Sequence, residues 1–368
     1  FQGAIRDYTI ALDVSRKYGT TQIVHVASLY ENLGILYAFE GDTETADFYF
    51  NSSEELFELL PNVRRYAGAL QPINLSPEKG MIYMVLGRYK EAEGAYRDTL
   101  QATLSARGER HVETRLAYMG MVNFYAGLNY KSKASQMLEA EINHSEEYGY
   151  PRLERKNMEA SLAILQEKYK KAIAIYTEIL PQIKEALGPK SLVVTLIQLN
   201  RALALLKSDQ FDKAVNHLQE VQGVQFFRRQ KPHILASLKT LEAEAQLGAG
   251  RTEKAIKLLD TAIVDLAESD FRHTLWTAYS VMSDALKRKD NVEGAIFFGK
   301  LAVNGIQSER QALGSFNKEI QQAFLRDKSI VYRRLADNFI ESGNLVQAKE
   351  VLSMLKQFEY SKFITRDN

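Results

Sequence analysis

The 368-residue chain is 45% apolar and 25% charged, close to the globular average, which excludes wholesale disorder. Lys and Arg number 47 against 46 Asp and Glu, a formal charge of +1, so a general grip on nucleic acid or an anionic membrane lacks its basic excess. There is no cysteine, which removes disulfides, thiolate metal sites and a cysteine nucleophile, and no apolar run reaches the roughly 18 residues that span a bilayer.

The six histidines (His25, His111, His144, His217, His233, His273) are scattered, with no HExxH and no pair at i, i+4. No metal site and no cofactor are expected. Phe1 opens the chain and no signal-peptide pattern follows it, so the sequence reads as a piece of a longer protein with any targeting segment lost. Compartment is left open, with a lean to the cytoplasm.

Only seven prolines occur, none after Pro232, and apolar residues recur at helical spacing, as in Leu203, Leu206, Val215 and Leu218. Strand-like alternation is nearly absent. An all-helical chain of this length is a large bundle or a repeat array, and self-similarity decides between them. In chain order, residues 1–22 carry Ala4, Tyr8 and Ala11 as the second helix of a truncated pair. Seven helix pairs of about 42 residues then fill residues 23–304. Each repeats one phrase: a turn residue, a large apolar residue two positions later, and alanine three after that. It reads Gly87-Arg88-Tyr89-Lys90-Glu91-Ala92, Glu167-Lys168-Tyr169-Lys170-Lys171-Ala172, Asp209-Gln210-Phe211-Asp212-Lys213-Ala214 and, in an eighth pair, Gly343-Asn344-Leu345-Val346-Gln347-Ala348. Weaker copies end at Ala46, Ala134, Ala255 and Ala295, and the spacings from Ala46 to Ala348 are 46, 42, 38, 42, 41, 40 and 53.

Twelve residues before the alanine stands a small residue (Gly34, Gly80, Ala160, Ala202, Ala243, Ser283, Ala336), although the third copy has Val122 there with Gly120 nearby. Small residues on both helices let the backbones approach closely, and the bulky residue four positions past the alanine fills the space beside the crossing. The turn residue reverses the chain between antiparallel helices. Pro181, inside the second helix of its pair, predicts a kink or an early end. The 53-residue step predicts an inserted helical segment over 305–327, before a last pair at 328–368.

These copies resemble the tetratricopeptide repeat, although their period is near 42 rather than 34. Leu187-Gly188-Pro189-Lys190 running into Leu196-Ile197-Gln198-Leu199-Asn200 is similar to the inter-repeat phrase of kinesin light chains. The resemblance implies an all-α fold, a superhelical solenoid of about eight helix pairs plus the N-terminal half-repeat, with the first helix of each pair lining a concave face. The segment from Gly314 through Val331-Tyr332-Arg333-Arg334-Leu335-Ala336-Asp337, Val351-Leu352 and Leu355-Lys356-Gln357-Phe358-Glu359-Tyr360 resembles the last repeat before the caspase-like peptidase of bacterial CHAT proteins. That resemblance implies a following α/β domain with a His and Cys dyad. No cysteine here can supply it, so the expected role is the recognition or regulatory arm.

Asn32, Asn123, Asn157 and Asn200 fall on first helices, where a carboxamide that both donates and accepts suits the backbone of an extended peptide. The competing reading places them in caps or bonds between helices. Arg333 and Asp337, one turn apart, are candidates to dock the following domain or form an ordinary i, i+4 pair. The basic runs Arg228-Arg229-Gln230-Lys231 and Lys287-Arg288-Lys289 read as helix ends rather than as a nucleic-acid site, and Gly248-Ala249-Gly250-Arg251-Thr252 as a turn rather than a phosphate loop. The expected partner is a protein or peptide on the concave face, together with an intramolecular C-terminal peptidase. A free-standing adaptor or peptide-sensing bacterial regulator is the alternative, and an enzyme within these residues has no support.

Overall fold

The computed structural model describes residues 2–17, 23–40, 42–58, 77–147, 149, 151–222, 232–269 and 272–364. The first copy's turn at Gly41, the run Arg228-Arg229-Gln230-Lys231 and the terminal Arg366-Asp367 lie outside them. Eighteen helices and no strand occur among the described residues. They are α1 (Gln2–Lys17), α2 (Ile23–Glu40), α3 (Thr43–Glu58), α4 (Pro77–Val85), α5 (Tyr89–Arg107), α6 (Val112–Gly127), α7 (Lys131–Glu147), α8 (Arg152–Leu165) and α9 (Tyr169–Leu187). Then follow α10 (Leu192–Leu206), α11 (Phe211–Gln222), α12 (Pro232–Gly248), α13 (Thr252–Ala267), α14 (Arg272–Lys287), α15 (Val292–Ala312), α16 (Lys318–Arg326), α17 (Ser329–Glu341) and α18 (Leu345–Ile364). The fold is all-α.

Two compact units divide the chain, one within residues 1–124 and the other formed by residues 125–268 with 272–368. In the first, α1 packs on α2, and α2–α3 and α4–α5 form hairpins. In the second, α8–α9, α10–α11, α12–α13, α14–α15 and α17–α18 are hairpins, and each second helix packs on the first helix of the next pair. This neighbour-on-neighbour stacking is what a helix-pair repeat requires, because one pair alone cannot bury its apolar faces.

One turn recurs seven times. Gly87, Asn129, Glu167, Asp209, Gly250, Asp290 and Gly343 all adopt left-handed φ, from 57° to 79°. The N–H after each reaches back across the end of the first helix, Arg88 to Tyr83, Lys168 to Ala163 and Asn344 to Phe339 among them, at 2.8 Å in all three. Its carbonyl then accepts the first bond of the second helix from the repeat alanine, as Arg88 does from Ala92 at 2.9 Å and Asn344 from Ala348 at 3.1 Å. A single left-handed residue thus satisfies terminal carbonyls and fixes the alanine five positions on.

Ala46, Ala92, Ala134, Ala172, Ala214, Ala255 and Ala295 are all completely buried. The small residues opposite them act partly as expected. Ser283 Oγ donates to the Ala295 carbonyl at 2.7 Å. Gly34 and Gly80 instead face the rings of Phe50 and Tyr96, where an added Cβ would lie 2.7 Å away. In the third copy the buried Val122 stands at that place, and Gly120 packs instead on the other side of Tyr96, the ring of the preceding pair. Tyr37 stacks on Tyr49 with centroids 5.5 Å apart, and Trp276 is buried, so these aromatics fill space between helices.

Pro181 does not end its helix early: α9 runs from Tyr169 to Leu187 through it. The ring is exposed while Ile179, Leu180 and Ile183 are buried around it. Burying each such side chain contributes about 1.5–3 kcal/mol, which together exceeds the roughly 3 kcal/mol of an interior proline. Helix α16 falls inside the 305–327 step, and α15 packs directly on α17, so α16 stands outside the sequence of stacked pairs.

Four of the seven turns place a side chain in the left-handed region at a cost glycine avoids. Asp209→Gly should therefore raise stability by about 0.5–1 kcal/mol and Gly250→Ala lower it by about 1 kcal/mol, read as denaturant midpoints. Equal midpoints for both variants and the parent would contradict the role given to this turn.

Candidate protein-interaction surface

Two of the four asparagines lie in each compact unit. Asn32 on α2 is half-buried and Asn123 on α6 is exposed, both in the first unit. Asn157 on α8 and Asn200 on α10 belong to the second and are half-buried. Asn200 hydrogen-bonds the buried Tyr176 phenol, whose pKa burial raises and which also lies 3.5 Å from Ser161 Oγ. Its carboxamide is thus engaged in packing between α9 and α10. Asn157 is different: its Oδ1 is shielded from water and has no hydrogen-bond partner. An acceptor in that condition costs free energy until something donates to it.

Arg333 and Asp337 are both exposed on α17, and no ion pair joins them. The neighbouring Arg334 is the residue engaged, pairing with Asp284 on α14. Burial raises the Asp284 pKa, with Arg334 and Arg288 opposing it. The basic run at α14's end is likewise spent on ties within the second unit: Lys287 pairs with Glu341, Lys289 with Glu253, and Arg288 Nη1 donates to the Leu247 carbonyl at 2.6 Å. Gly250 sits in a first-to-second-helix turn at φ 78°.

Three arrangements are invisible to sequence reasoning. Arg201 Nε and His217 Nδ1 are shielded without hydrogen-bond partners, Glu220 Oε2 standing 3.6 Å from the imidazole. Burial and then Arg201 lower the His217 pKa, Glu220 opposing. Second, the turn between α6 and α7 meets α16. Asn129 Nδ2 donates to the Ala323 carbonyl at 2.7 Å, Tyr130 Oη to Glu319 Oε2 at 2.6 Å, and Lys131 Nζ lies 2.9 Å from both Asp327 Oδ2 and Glu167 Oε1. Burial works against the Lys131 charge, but bonds to Asp327 and Glu167 outweigh it and raise its pKa.

Third, Lys328 is buried just beyond α16. Its ammonium donates to the Phe324 carbonyl at 3.0 Å and lies 3.6 Å from the Phe324 ring centroid and 5.5 Å from that of Trp276. Trp276 Nε1 donates to Glu309 Oε1 at 3.0 Å. Burial pushes the Lys328 pKa down to about 8, against the pull of Glu309 and Asp327. Among the described residues no group of three or more His, Cys, Asp or Glu could hold a metal, and no helix is long and apolar enough to cross a membrane.

No family model matches the chain, and no curated protein matches it. Among solved structures it is similar to BtubC (BKLC) from P. vanneervenii, at 16% identity and TM-score 0.44 over 64% of this chain and 90% of that one. It is similar to the human IFIT1 dimer with m7Gppp-AAAA at 16% identity and TM-score 0.46, covering 95% of this chain and 72% of that one. A tetratricopeptide repeat protein from Parabacteroides merdae ATCC 43184 gives 16% identity and TM-score 0.42 over 81% and 97%. With scores this low, the fold assignment rests on the recurring turn and the buried alanines.

The Lys328 shift has a consequence for pH. Between pH 8 and the ordinary lysine value of 10.5, the unfolded chain keeps a proton that the folded one has released. Stability from this group therefore rises with pH across that window, by at most roughly 1.4 kcal/mol per pH unit. Tyr332, whose pKa burial pushes up to about 12, acts in the opposite sense only above its ordinary value of 10. From pH 8 to 9.5, the denaturation midpoint of the parent should climb relative to that of Lys328→Met; a constant difference would refute the burial of a charged Lys328.

Proposed function

We propose that the chain is a protein-interaction scaffold, the repeat arm that recognises a polypeptide partner and regulates a C-terminal CHAT-type caspase-like peptidase. The observation that carries the scaffold reading is the stack itself. Neighbouring pairs consume charges and apolar faces on each other, no cluster of titratable groups among the described residues forms a reaction centre, and what remains is extended helical surface. The Asn157 acceptor has no partner within the stack, and a turn of this half-buried side chain would offer it to a ligand that brings an N–H donor, as a peptide backbone does. The peptidase link rests on the resemblance of the last pair. It is supported by the open apolar surface of α18, where Leu345 and Val346 are 65% and 68% exposed beside cavities of about 510 and 280 Å³ that share Lys349 and Ser353. Positions matching Val346 in the other copies are Glu44, Lys90, Ser132, Lys170, Asp212, Glu253 and Glu293, all polar. An apolar residue at that place suits a surface that a following domain covers.

A free-standing peptide-sensing regulator shares the Asn157 observation and differs only in lacking the peptidase. Screening the chain against a random peptide array tests the scaffold: hits should bind Asn157→Ala about tenfold more weakly. Hits indifferent to Asn157, or no hits, would overturn peptide recognition at this site. A polypeptide extended by the residues its gene encodes after Asn368 tests the regulator: peptidase activity altered by Val346→Lys is expected, and absence of a His and Cys region there removes the peptidase link alone.

A further inference from the structure

Some first helices carry a charge immediately before their small residue, and elsewhere the fold meets it. Lys79, before Gly80, lies 3.8 Å from Glu31. Glu159, before Ala160, lies 3.2 Å from Lys156. Glu242, before Ala243, accepts from Gln219 and Gln222 at 2.8 Å each. Arg201, before Ala202, is met by nothing: among the described residues it makes neither a hydrogen bond nor an ion pair, and its Nε is shielded. Glu220, the acid that acts on it, is held instead by Gln198 Nε2 at 3.0 Å. The guanidinium is half-buried on α10 where α9 and α11 come together, for Ile173 of α9 packs against the cluster that Ala202 and Leu205 form with Ala214, Val215 and Leu218 of α11. From α11 comes His217, with Nδ1 shielded and unpartnered, and from α9 comes Lys184, half-buried and within reach of His217 electrostatically. Burial lowers the Arg201 pKa, with Glu220 opposing it. A charge held partly out of water costs free energy until an anion meets it, and a water satisfies an N–H without neutralising the charge.

We propose that Arg201 and His217 form a binding site for a carboxylate. A guanidinium fork presents parallel N–H groups to the two oxygens of one planar anion. Arg201 and Lys184 against Glu220 leave a single positive charge, which suits a carboxylate better than a phosphate ester near two negative charges. His217 couples the site to protons. Its imidazolium donates from Nδ1, and a bound carboxylate offsets the burial and the Arg201 charge that lower the His217 pKa. Binding therefore takes up a proton, and affinity rises as pH falls, by at most about tenfold per pH unit. The charged groups facing His217 are Arg201 on α10, Lys184 on α9 and Glu220 on α11 itself. On α12, which also packs on α11, Glu242 faces Gln219 and Gln222. The carboxylate has two sources, a free small acid or an acidic side chain of a polypeptide. The first is independent of the scaffold reading, and the second rests on it and deepens it.

The probe is sodium acetate, exchanged for sodium chloride at constant ionic strength, with the full chain observed by proton NMR. The His217 imidazole resonance is identified by its loss in His217→Gln. Saturating acetate should raise the His217 titration midpoint by about one pH unit. Arg201→Gln removes a like charge and raises that midpoint by itself, yet it should abolish the response to acetate. Arg201→Lys keeps the charge without the fork and should need about tenfold more acetate. No response in the parent chain, or a response that survives Arg201→Gln, would overturn the proposal. So would a response confined to Glu220→Gln, which would make Glu220 the intramolecular partner of Arg201. Array peptides that shift the same resonance, and stop doing so when their Asp and Glu become Asn and Gln, place the carboxylate on a polypeptide. A response to acetate without such peptides places it on a free acid. Loss of every array hit with the acetate response intact removes the scaffold reading alone.

Discussion

The left-handed residue that ends each first helix is the constraint on which the rest of the architecture depends. A helix that stops leaves carbonyls without partners, and an antiparallel neighbour cannot supply them. By turning one residue to φ near 60–80°, the chain satisfies those carbonyls and starts the next helix with the following residue. The phase of the second helix is then no longer free. Its alanine must face the first helix, which is why six of the seven alanines that follow these turns are completely buried and the seventh, Ala348, is 3% exposed. Four turns accept a non-glycine residue there, so closing the hairpin in this register outweighs about 1 kcal/mol of backbone strain at each.

Close approach at the crossings decides what lies between pairs. Where the small residue is glycine, a ring from the facing helix rests on bare backbone, as Phe50 does on Gly34 and Tyr96 on both Gly80 and Gly120. Such contacts tolerate no added Cβ without displacing an aromatic side chain from a close-packed interior. Charges follow the same economy in the second unit. Lys287, Arg288 and Lys289 look like a basic patch in the sequence, yet each is spent on a different neighbour: Glu341, the Leu247 carbonyl and Glu253. A surface built this way offers little electrostatic field to a polyanion and much patterned helix to a polypeptide.

The hairpins were legible because glycine and alanine at fixed offsets report backbone geometry directly, and where Asn129, Glu167, Asp209 or Asp290 stands in place of the glycine the alanine still marks the register. Pro181 does not end α9; sequence shows the missing N–H but not which side of the helix faces solvent. The candidate site was far less legible. Asn200 and Asn157 look alike in sequence, and only packing distinguishes the amide bonded to Tyr176 from the acceptor left unpartnered. Asn129 reads as a turn residue, which it is, but its amide serves a carbonyl 194 residues away, a separation no local pattern encodes. Nothing in the sequence marks Lys328 as buried, since Trp276 and Phe324 reach its ammonium from different helices.

That long-range bond also changes how the second unit holds together. In a stack where pairs touch only neighbours, each end can fray at the cost of one interface, and stability is nearly a sum of local contributions. A contact between the α6–α7 turn and α16 couples the beginning of that unit to its last pairs, so fraying at either end competes with the same few bonds. The entropy of closing so long a loop grows only logarithmically, by about 0.6 kcal/mol per doubling, so modest contacts suffice to hold it. The apolar side chains that α16 buries, Ile320, Ala323, Phe324 and Leu325, add to those bonds, so packing and the long-range ties hold the end of the unit together.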